Sequence, residues 1–392
     1  MTALDAAAVS PPARLTAFTV ADHTDRGAQV GVVAKRTYSV RGGRCLVADD
    51  QVALVEIPRV TEDKAVLLHD LDIVVNRRET DVIVVGRARP LGKAKKFEVR
   101  VRAGALDRRL LALGDRRCWR DPTGALRFTD PEPIEEIDLG WSSAYGGVDF
   151  AGLELMGDPI ERVKKENGQP YNPRFGSFAY PRNRTGKGFL IDARPEALER
   201  CQLPNLEDPY RLLAPERLAI GKPDRWPGAE LPAAFGWLSY GTFPRTAMLG
   251  LTPLYDSVAC RPESFAEVKL GVLQARSVAP TTPLIERLDL GAAQQAPVGM
   301  RVADLPPGTA IELQGCHPRF PTWSFALSRE VPEIALQIPG QKPVAVIPKI
   351  RTLLIEPELD RLSVVWVGEQ RDPVPIGPGK QAQIKYGVRW IG

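Results

Sequence analysis

The first third of the chain alternates apolar and polar side chains at the spacing of β-strands. In residues 96–103 every second position is apolar, with charged residues between them. Residues 28–40 are rich in β-branched side chains, which favours a longer and largely buried strand. Residues 80–86 form another such run, and Arg41–Arg44, with two central glycines, predicts a tight turn. This part of the chain therefore predicts strands joined by short turns.

The last third returns to the same pattern. Residues 310–315 alternate, and the apolar runs at 352–356 and 362–368 predict a hairpin because a short polar turn separates them. Many strands at close intervals predict a mainly β fold with β-sandwich-like sheets. The predicted organisation is a flexible lead-in at 1–14, an N-terminal β region at 15–130, a loop-rich central region at 131–260 and a C-terminal β region at 261–392, either separate or as one compact unit.

The central region has few regular patterns and many glycines, prolines and aromatic residues. Three stretches stand out, at 139–150, 182–189 and 203–209. Glycine and proline impose particular backbone angles there, and the aromatic rings supply apolar area for burial. We expect an ordered layer of loops over the sheets. One short helix is predicted at 158–167, because Asp158 is a good cap and Pro159 suits the first turn.

Charge changes this picture little. The formal net charge is +4 over 392 residues, and the basic clusters at Lys93–Lys96, Arg108–Arg109 and Arg116–Arg117 are short. Solvated strand faces and turns are the simpler interpretation, and a recruiting patch for an acidic partner is the alternative. The aromatic residues of the central region lack interleaved basic residues, so nucleic acid is not an expected partner.

The spacing of the cysteines and the absence of long apolar runs indicate in which cellular compartment the protein is located. The five cysteines lie far apart, and no two form a C-x-x-C pair, which is typical of reduced cytoplasmic thiols rather than of a disulfide framework. The N-terminus lacks the basic and apolar parts of a signal peptide, and no apolar run reaches about 18 residues. We expect a cytoplasmic protein without a membrane segment.

The chain offers only weak candidates for catalytic or cofactor chemistry. Cys316 and His317 are adjacent, but neighbours on a strand point to opposite faces, which disfavours a nucleophile–base pair. Residues 185–188 resemble a phosphate-binding loop only in part, so an ordered turn with a solvated lysine is favoured. Asp70 and Asp72 are predicted to share one strand face, and Asp81 is interpreted as a strand-end cap. We predict no catalytic residue, no cofactor and no metal.

Several motifs nevertheless occur together in an order that resembles a known family. They are Thr80–Pro90, Gly114–Trp119, Trp141–Gly147, Asn183–Phe189, Leu203–Leu206 and Trp237 with Gly241 and Thr242, preceded by a strand that contains Ala34, Lys35 and Thr37. In this order the chain resembles the domain-of-unknown-function 2169 family over roughly residues 15–370.

The resemblance implies a set of partner-binding or loop-scaffold positions. The carried-over positions are Trp141, Tyr145, Gly146, Gly147, Asn183, Gly186, Gly188, Phe189, Pro204, Asn205, Trp237, Gly241 and Thr242. The chain departs from the family pattern at Tyr145, where phenylalanine is usual, at Arg184, where proline is usual, and at Tyr240, where arginine is usual. A structural role in one loop layer is the favoured interpretation, and contact with a partner is the alternative.

Members of that family are associated with bacterial type VI secretion. Several act as adaptors or chaperones that bind an effector toxin and help to load it on the VgrG-type spike. The resemblance therefore implies a non-catalytic adaptor that holds the N-terminal segment of an effector toxin, with the spike protein as a further partner. An enzyme acting in the central loop layer and a structural component of a secreted assembly are the alternatives.

Overall fold

Strands dominate the structure. The computed structural model describes residues 13–18, 29–61, 66–73, 77, 79–155, 178–180, 182–219, 221, 232–238, 294–297, 299–370 and 384–392. Among the described residues strands make up 46% and helices 8%, which confirms the predicted mainly β class. Within the described ranges, no helix has the length and apolar character needed to cross a membrane.

The described residues form 23 strands, two short α-helices and three 3-10 turns. In chain order the strands are β1 Ala13–Phe18, β2 Gln29–Arg41, β3 Arg44–Val47, β4 Arg59–Val60, β5 Leu67–His69, β6 Thr80–Val84, β7 Arg87–Ala88, β8 Lys96–Ala103, β9 Leu106–Leu113, β10 Cys118–Arg120, β11 Leu126–Phe128, β12 Ile137–Asp138, β13 Tyr145–Gly146, β14 Lys187–Gly188, β15 Leu206–Glu207, β16 Arg301–Val302, β17 Ala310–Gln314, β18 Thr322–Ala326, β19 Val331–Gln337, β20 Val344–Val346, β21 Pro348–Glu356, β22 Arg361–Glu369 and β23 Lys385–Ile391. The helices are α1 Phe150–Leu155 and α2 Pro195–Arg200, and the 3-10 turns are Trp141–Ser143, Pro215–Arg217 and Pro357–Leu359.

Twelve strands form one large curled sheet. Its path runs β15-β9-β8-β17-β18-β3-β2-β22-β21-β6-β16, and β1 pairs with β2 alongside this path. Both predicted β regions contribute to this sheet, because β17 and β22 of the C-terminal region pair with β8 and β2 of the N-terminal region. The other described strands form five small sheets, of which β20-β19-β23 is the largest.

The turns predicted from the sequence form where expected. Gly42 and Gly43 connect β2 to β3 with φ of 55° and 75°, a conformation that glycine adopts without steric cost. The predicted hairpin near the C-terminus is β21–β22, closed by a 3-10 turn and by Asp360, whose φ is 47°. In β8, Val99 and Val101 are buried and the charged residues between them face outward, as their alternation predicts.

The central strands of the sheet are buried on both faces. Tyr38 of β2 and Trp366 of β22 pack into the main core on one face. On the other face, Val33 and Val365 pack with Leu54, which lies on an extended segment that covers the sheet. This double burial explains why β22 reads as an almost continuous apolar run rather than as an alternating one.

A second, smaller core lies under the loops of the central region. The ring of Tyr180 contacts that of Tyr145 edge-to-face and that of Phe189 in a tilted arrangement, with ring centroids 5.1 Å and 5.4 Å apart. They pack together with Leu198 of α2 and Leu203. The aromatic residues of the central region therefore bury a core of their own, as the sequence predicted for an ordered loop layer. The helix predicted at 158–167 lies outside the described residues.

Candidate functional site

Most of the predicted site residues meet in one structure, which we call the loop layer and define as residues 139–149, 183–189 and 203–206. Strands β13 and β14 pair in parallel at its centre, with Tyr145 opposite Lys187 and Gly146 opposite Gly188. The buried Asn183 joins their ends, because its Nδ2 donates to the backbone oxygens of Trp141 at 2.8 Å and Tyr145 at 3.0 Å. An asparagine is needed here to satisfy two buried carbonyl groups at once.

Glycine is required in this layer because backbone segments pass too close for a side chain. A Cβ on Gly146 would lie 2.1 Å from the Asn183 carbonyl oxygen, and its φ is 147°. A Cβ on Gly186 would lie 2.4 Å from the Ala144 carbonyl oxygen. The same crowding exists at Gly147, next to Gly186. The glycines of the two motifs therefore allow the two loops to pack against each other.

Asn205 ties the loop layer to the large sheet. Its Nδ2 donates to the Leu113 carbonyl oxygen at 3.1 Å, at the end of β9, and to Asp115 at 2.9 Å. Its Oδ1 accepts from Lys187 Nζ at 2.8 Å. Lys187 is thus half-buried and bonded, where the sequence predicted a solvated lysine. Pro204 packs beside Gly188, where a Cβ would lie 3.0 Å from its Cδ.

Two tryptophans of the predicted set lie apart from this centre. Trp141 packs with Ala144, Ala234 and Leu238 in a small separate cluster. Trp237 packs in the main core, with its ring 4.7 Å from that of His69. Gly241 and Thr242 lie outside the described residues. Ten of the predicted positions therefore lie in the loop layer: Trp141, whose backbone oxygen accepts from Asn183 although its ring packs in that separate cluster, and Tyr145, Gly146, Gly147, Asn183, Gly186, Gly188, Phe189, Pro204 and Asn205.

The loop layer borders a cavity of about 350 Å³. Residues 146–151, 184–190, 197 and 200–202 contribute to its lining, among them Arg184, Arg200 and Cys201. Phe150 is exposed at this site, whereas both oxygens of Asp149 accept backbone N–H groups, from Gly152 at 2.9 Å and Ile191 at 3.1 Å. The cavity wall is thus held by hydrogen bonds within the protein.

The pairing of Cys316 with His317, which the sequence disfavoured, is not formed. Cys316 Sγ donates to the Gln314 carbonyl oxygen at 3.2 Å and packs in the main core. The His317 ring points elsewhere: its Nδ1 accepts the backbone N–H groups of Arg319 and Phe320, so its Nε2 donates to Asp360 at 2.9 Å. The histidine therefore organises the turn after β17 and has no contact with the thiol.

A buried charge cluster was missed by the sequence analysis. Lys35 Nζ lies 2.8 Å from Asp72, and Arg77 lies 3.2 Å from Asp81, with all four side chains buried. Sheet register explains the grouping, since Lys35, Val365, Thr352 and Asp81 lie opposite one another on four neighbouring strands. Direct neighbours across strands point to the same face, so one row of the sheet carries Lys35 and Asp81, and Asp72 and Arg77 pair with them from outside the strands.

The interpretation of Asp81 as a strand-end cap is wrong. Its carboxylate accepts the backbone N–H groups of Gln295 at 2.9 Å and Ala296 at 3.0 Å, as well as Gln294 Nε2 at 3.0 Å. Asp70 and Asp72 also differ from their prediction, because both follow β5 rather than share a strand face. Lys35 directly after the apolar residues 30–34 of β2 was the available signal, because a lysine buried in a strand requires a partner.

The pKa of one histidine near this cluster departs strongly from its ordinary value. Burial lowers the pKa of His69 to about 4, with the nearby Asp72 opposing the shift and Lys35 adding to it. His69 Nδ1 donates to the Asp70 carbonyl oxygen at 2.7 Å. The folded protein therefore holds a neutral ring at a position where the unfolded chain would be protonated in mild acid.

We expect His69 to make the free energy of unfolding decrease by about 2 kcal/mol between pH 7 and pH 5. Below its ordinary pKa of 6.5 the unfolded chain binds a proton at His69, whereas the folded ring stays neutral until about pH 4. Stability is lost as the pH falls through this window. Urea unfolding of the wild type and of His69→Gln between pH 5 and pH 7 measures how the free energy of unfolding of each protein depends on pH. Parallel pH profiles of the two proteins would contradict the prediction.

A second surface feature, which we call the basic cleft, lies at one end of β8, β17 and β18. Its volume is about 530 Å³, and residues 89–94, Phe97, Glu98, Gln314, Gly315, Pro321 and Thr322 line it. The loop that carries Lys93 is ordered by backbone bonds at both ends, from Arg89 to Gly315 at 2.9 Å and from Ile134 to Ala94 at 2.8 Å. Its lysines are visible in the sequence, but the cleft beside them forms only in the fold, because its walls come from two distant parts of the chain.

Comparison with known proteins identifies the family of the chain. A model of the DUF2169 family, described as "Uncharacterized protein conserved in bacteria", matches residues 25–367. No curated protein and no solved structure matches the chain. The matched range includes the strand with Lys35, the whole loop layer and the β21–β22 hairpin, so it spans nearly all of the large sheet. The chain belongs to the DUF2169 family, as its motifs in their order had indicated.

Proposed function

We propose that this bacterial protein is a non-catalytic adaptor or chaperone of type VI secretion that acts in the cytoplasm. It binds an effector toxin through the toxin's N-terminal segment and helps to load it on the VgrG-type spike. The secretion role comes from the resemblance of its motifs to members of the family. The part of the proposal that concerns binding is supported by the surface of the protein.

The basic cleft is the observation that carries this proposal. Leu91 is 83% exposed at its rim, and Phe320, next to the lining residue Pro321, is 45% exposed. Burying a side chain of this size against a partner contributes about 2 kcal/mol. Large exposed apolar side chains beside a cleft mark an interaction site more often than scattered ones do. The cleft therefore offers an anchor point for an apolar side chain of another polypeptide.

The charges around the cleft indicate what the partner segment contains. Lys93, Lys95 and Lys96 are exposed, and none has a carboxylate within ion-pair distance in the part of the chain that is described. In contrast, Arg89 pairs with Glu136 at 2.8 Å and with Glu358 at 2.9 Å. The lysines are thus free to attract carboxylates. The occupant that fits is a segment of the effector with an apolar anchor flanked by aspartate or glutamate.

Co-expression with the effector encoded beside this chain tests the adaptor role directly. We expect the effector to remain soluble and to co-elute with the full chain on size exclusion, and to lose both properties when its N-terminal segment is deleted. An effector that is soluble alone and never co-elutes with this chain would contradict the role, whatever surface is involved.

A triple variant tests the basic cleft itself. We expect Lys93→Glu with Lys95→Glu and Lys96→Glu to weaken effector binding by about tenfold or more and to reduce its dependence on salt, because opposite charges no longer attract. The matched control replaces three other exposed lysines, Lys342, Lys349 and Lys385, by glutamate and so changes the net charge equally. Isothermal titration at two salt concentrations measures the affinity for the effector and its dependence on salt. Equal losses of affinity in the two triple variants would show that the basic cleft does not bind the effector.

A further inference from the structure

Two buried cysteines, Cys118 and Cys201, face each other across the edge of the loop layer. Arg117 and Gln202 form an antiparallel bridge, and the Leu203 N–H donates to the Arg116 carbonyl oxygen at 3.2 Å beside it. Continuing this register by one residue places Cys118, the first residue of β10, opposite Cys201, the residue that follows α2. The two cysteines are 83 positions apart in sequence, so only the fold brings them together.

Their side chains point to the same side. Directly opposite residues of an antiparallel pair share a face, and both thiols are buried in the same small core, with Leu203 and Phe189. Opposite residues of such a pair have Cα atoms about 4.5 or 5.5 Å apart, which is within the range of disulfides. Both cysteines are free thiols in the structure. The backbone spacing that this register gives is therefore compatible with a disulfide between them.

The loop-layer cavity gives access to one of the two thiols. Cys201 contributes to its wall together with Gln202, so a small oxidant in the cavity reaches Cys201 before Cys118. Burial raises the pKa of the Cys201 thiol to about 12, and the neighbouring Cys118 adds to the shift. Burial likewise raises the pKa of Cys118. The resting pair is thus held as thiols, and its reaction with an oxidant is slow.

We propose that Cys118 and Cys201 form a disulfide when the protein meets a peroxide, and that this bond locks the loop layer to β10. Cys201 as thiolate attacks one oxygen of hydrogen peroxide, which breaks the O–O bond, leaves a sulfenic acid on Cys201 and releases hydroxide, which takes up the proton that the thiol lost and becomes water. Cys118 then attacks the sulfenic sulfur and expels the oxygen as water. Two thiols and one hydrogen peroxide give one disulfide and two waters, a two-electron oxidation of the protein.

The bond closes a loop from 118 to 201 that contains β13, β14 and Asn183, so most of the loop layer lies inside it. A cross-link over such a long loop restricts the unfolded chain strongly. Oxidation therefore stabilises the part of the protein in which the family motifs lie. This inference is independent of the proposed adaptor role, since it concerns bonding within the chain alone.

Peptide mapping of the full chain tests the pairing. Wild-type protein is treated with hydrogen peroxide, alkylated without reductant and digested. We expect one linked peptide pair containing Cys118 and Cys201, the loss of two titratable thiols, and a rise of several degrees in the midpoint of thermal unfolding that dithiothreitol reverses. Cys118 and Cys201 recovered unlinked, or linked to other cysteines, would overturn the proposal.

Variants separate this bond from general oxidation. Cys201→Ser is expected to abolish both the linked peptide and the rise in the midpoint, while Cys45→Ser combined with Cys316→Ser is expected to keep both, because these two thiols lie elsewhere in the fold. A peroxide-induced rise of equal size in Cys201→Ser would overturn the locking role. The mapping of the wild type decides the pairing even if a variant folds poorly.

Discussion

Lys35→Met is expected to lower the free energy of unfolding by about 3–5 kcal/mol, the typical result of leaving one partner of a buried ion pair alone. Lys35 and Asp72 are both buried, and their charged atoms lie 2.8 Å apart. Methionine fills much of the space of lysine but carries no charge. The Asp72 carboxylate would then be buried beside an apolar side chain, and the Ala53 carbonyl oxygen would lose its Nζ donor.

Two further variants show whether charge is the cause. Lys35→Met combined with Asp72→Asn is expected to recover more than half of the loss, because asparagine carries no charge and its oxygen still accepts the Val55 N–H. Lys349→Met, on an exposed lysine of β21, is expected to change stability by less than about 0.5 kcal/mol. Urea unfolding at neutral pH measures all three. A cost below about 1 kcal/mol for Lys35→Met alone would show that this pair contributes little.

Gly186→Ala is expected to lower the free energy of unfolding by about 3 kcal/mol, at the upper end of the cost of overpacking. The added Cβ would lie 2.4 Å from both the Ala144 carbonyl oxygen and Asn183 Nδ2. The first of these is backbone, so it cannot turn away as a flexible side chain would. β13 and β14 must separate to admit the methyl group, which weakens the bonds that Asn183 makes across the layer.

The matched control for this change is Gly92→Ala, because a Cβ there would meet no atom within 4 Å and the backbone is not left-handed at either glycine. Its expected effect is within about 0.5 kcal/mol. Amide hydrogen exchange localises the difference: the N–H groups of Gly147 and Phe189, which bond across the layer, should exchange faster in Gly186→Ala alone. Similar stabilities of the two variants would mean that the loops do not need their close approach.

The β2–β3 turn and the β21–β22 hairpin illustrate what local pattern could predict. Side-chain alternation and β-branched runs predict their strands, and glycine residues or a short polar segment predict their turns. The central glycines and aromatic residues likewise predicted ordered loops. Glycine sets the backbone angles at its own position, and an aromatic ring buries apolar area close to its own position in the chain. Both predictions depend on interactions between residues close in sequence.

The buried cluster illustrates what local pattern could not predict. In the sequence, Asp81 is a polar residue near the start of a strand. Only the fold brings residues 294–296 to it, and its buried carboxylate accepts their hydrogen bonds. Those contacts span more than two hundred positions. The same holds for Cys118 and Cys201, which no spacing rule connects, and for the cleft, whose walls come from two distant parts of the chain.

By itself, the amino-acid sequence determined the mainly β class, the principal hairpins, the ordered loop layer and the family. These follow from backbone preference, side-chain periodicity and the order of motifs, which are all properties of the chain read along its length. The tertiary structure alone decided which polar groups are buried together, which glycines are sterically required, and where exposed lysines meet an apolar cleft. Burial and proximity arise only when strands distant in sequence become neighbours in one sheet, and the energies of charge, packing and contact depend on those neighbours.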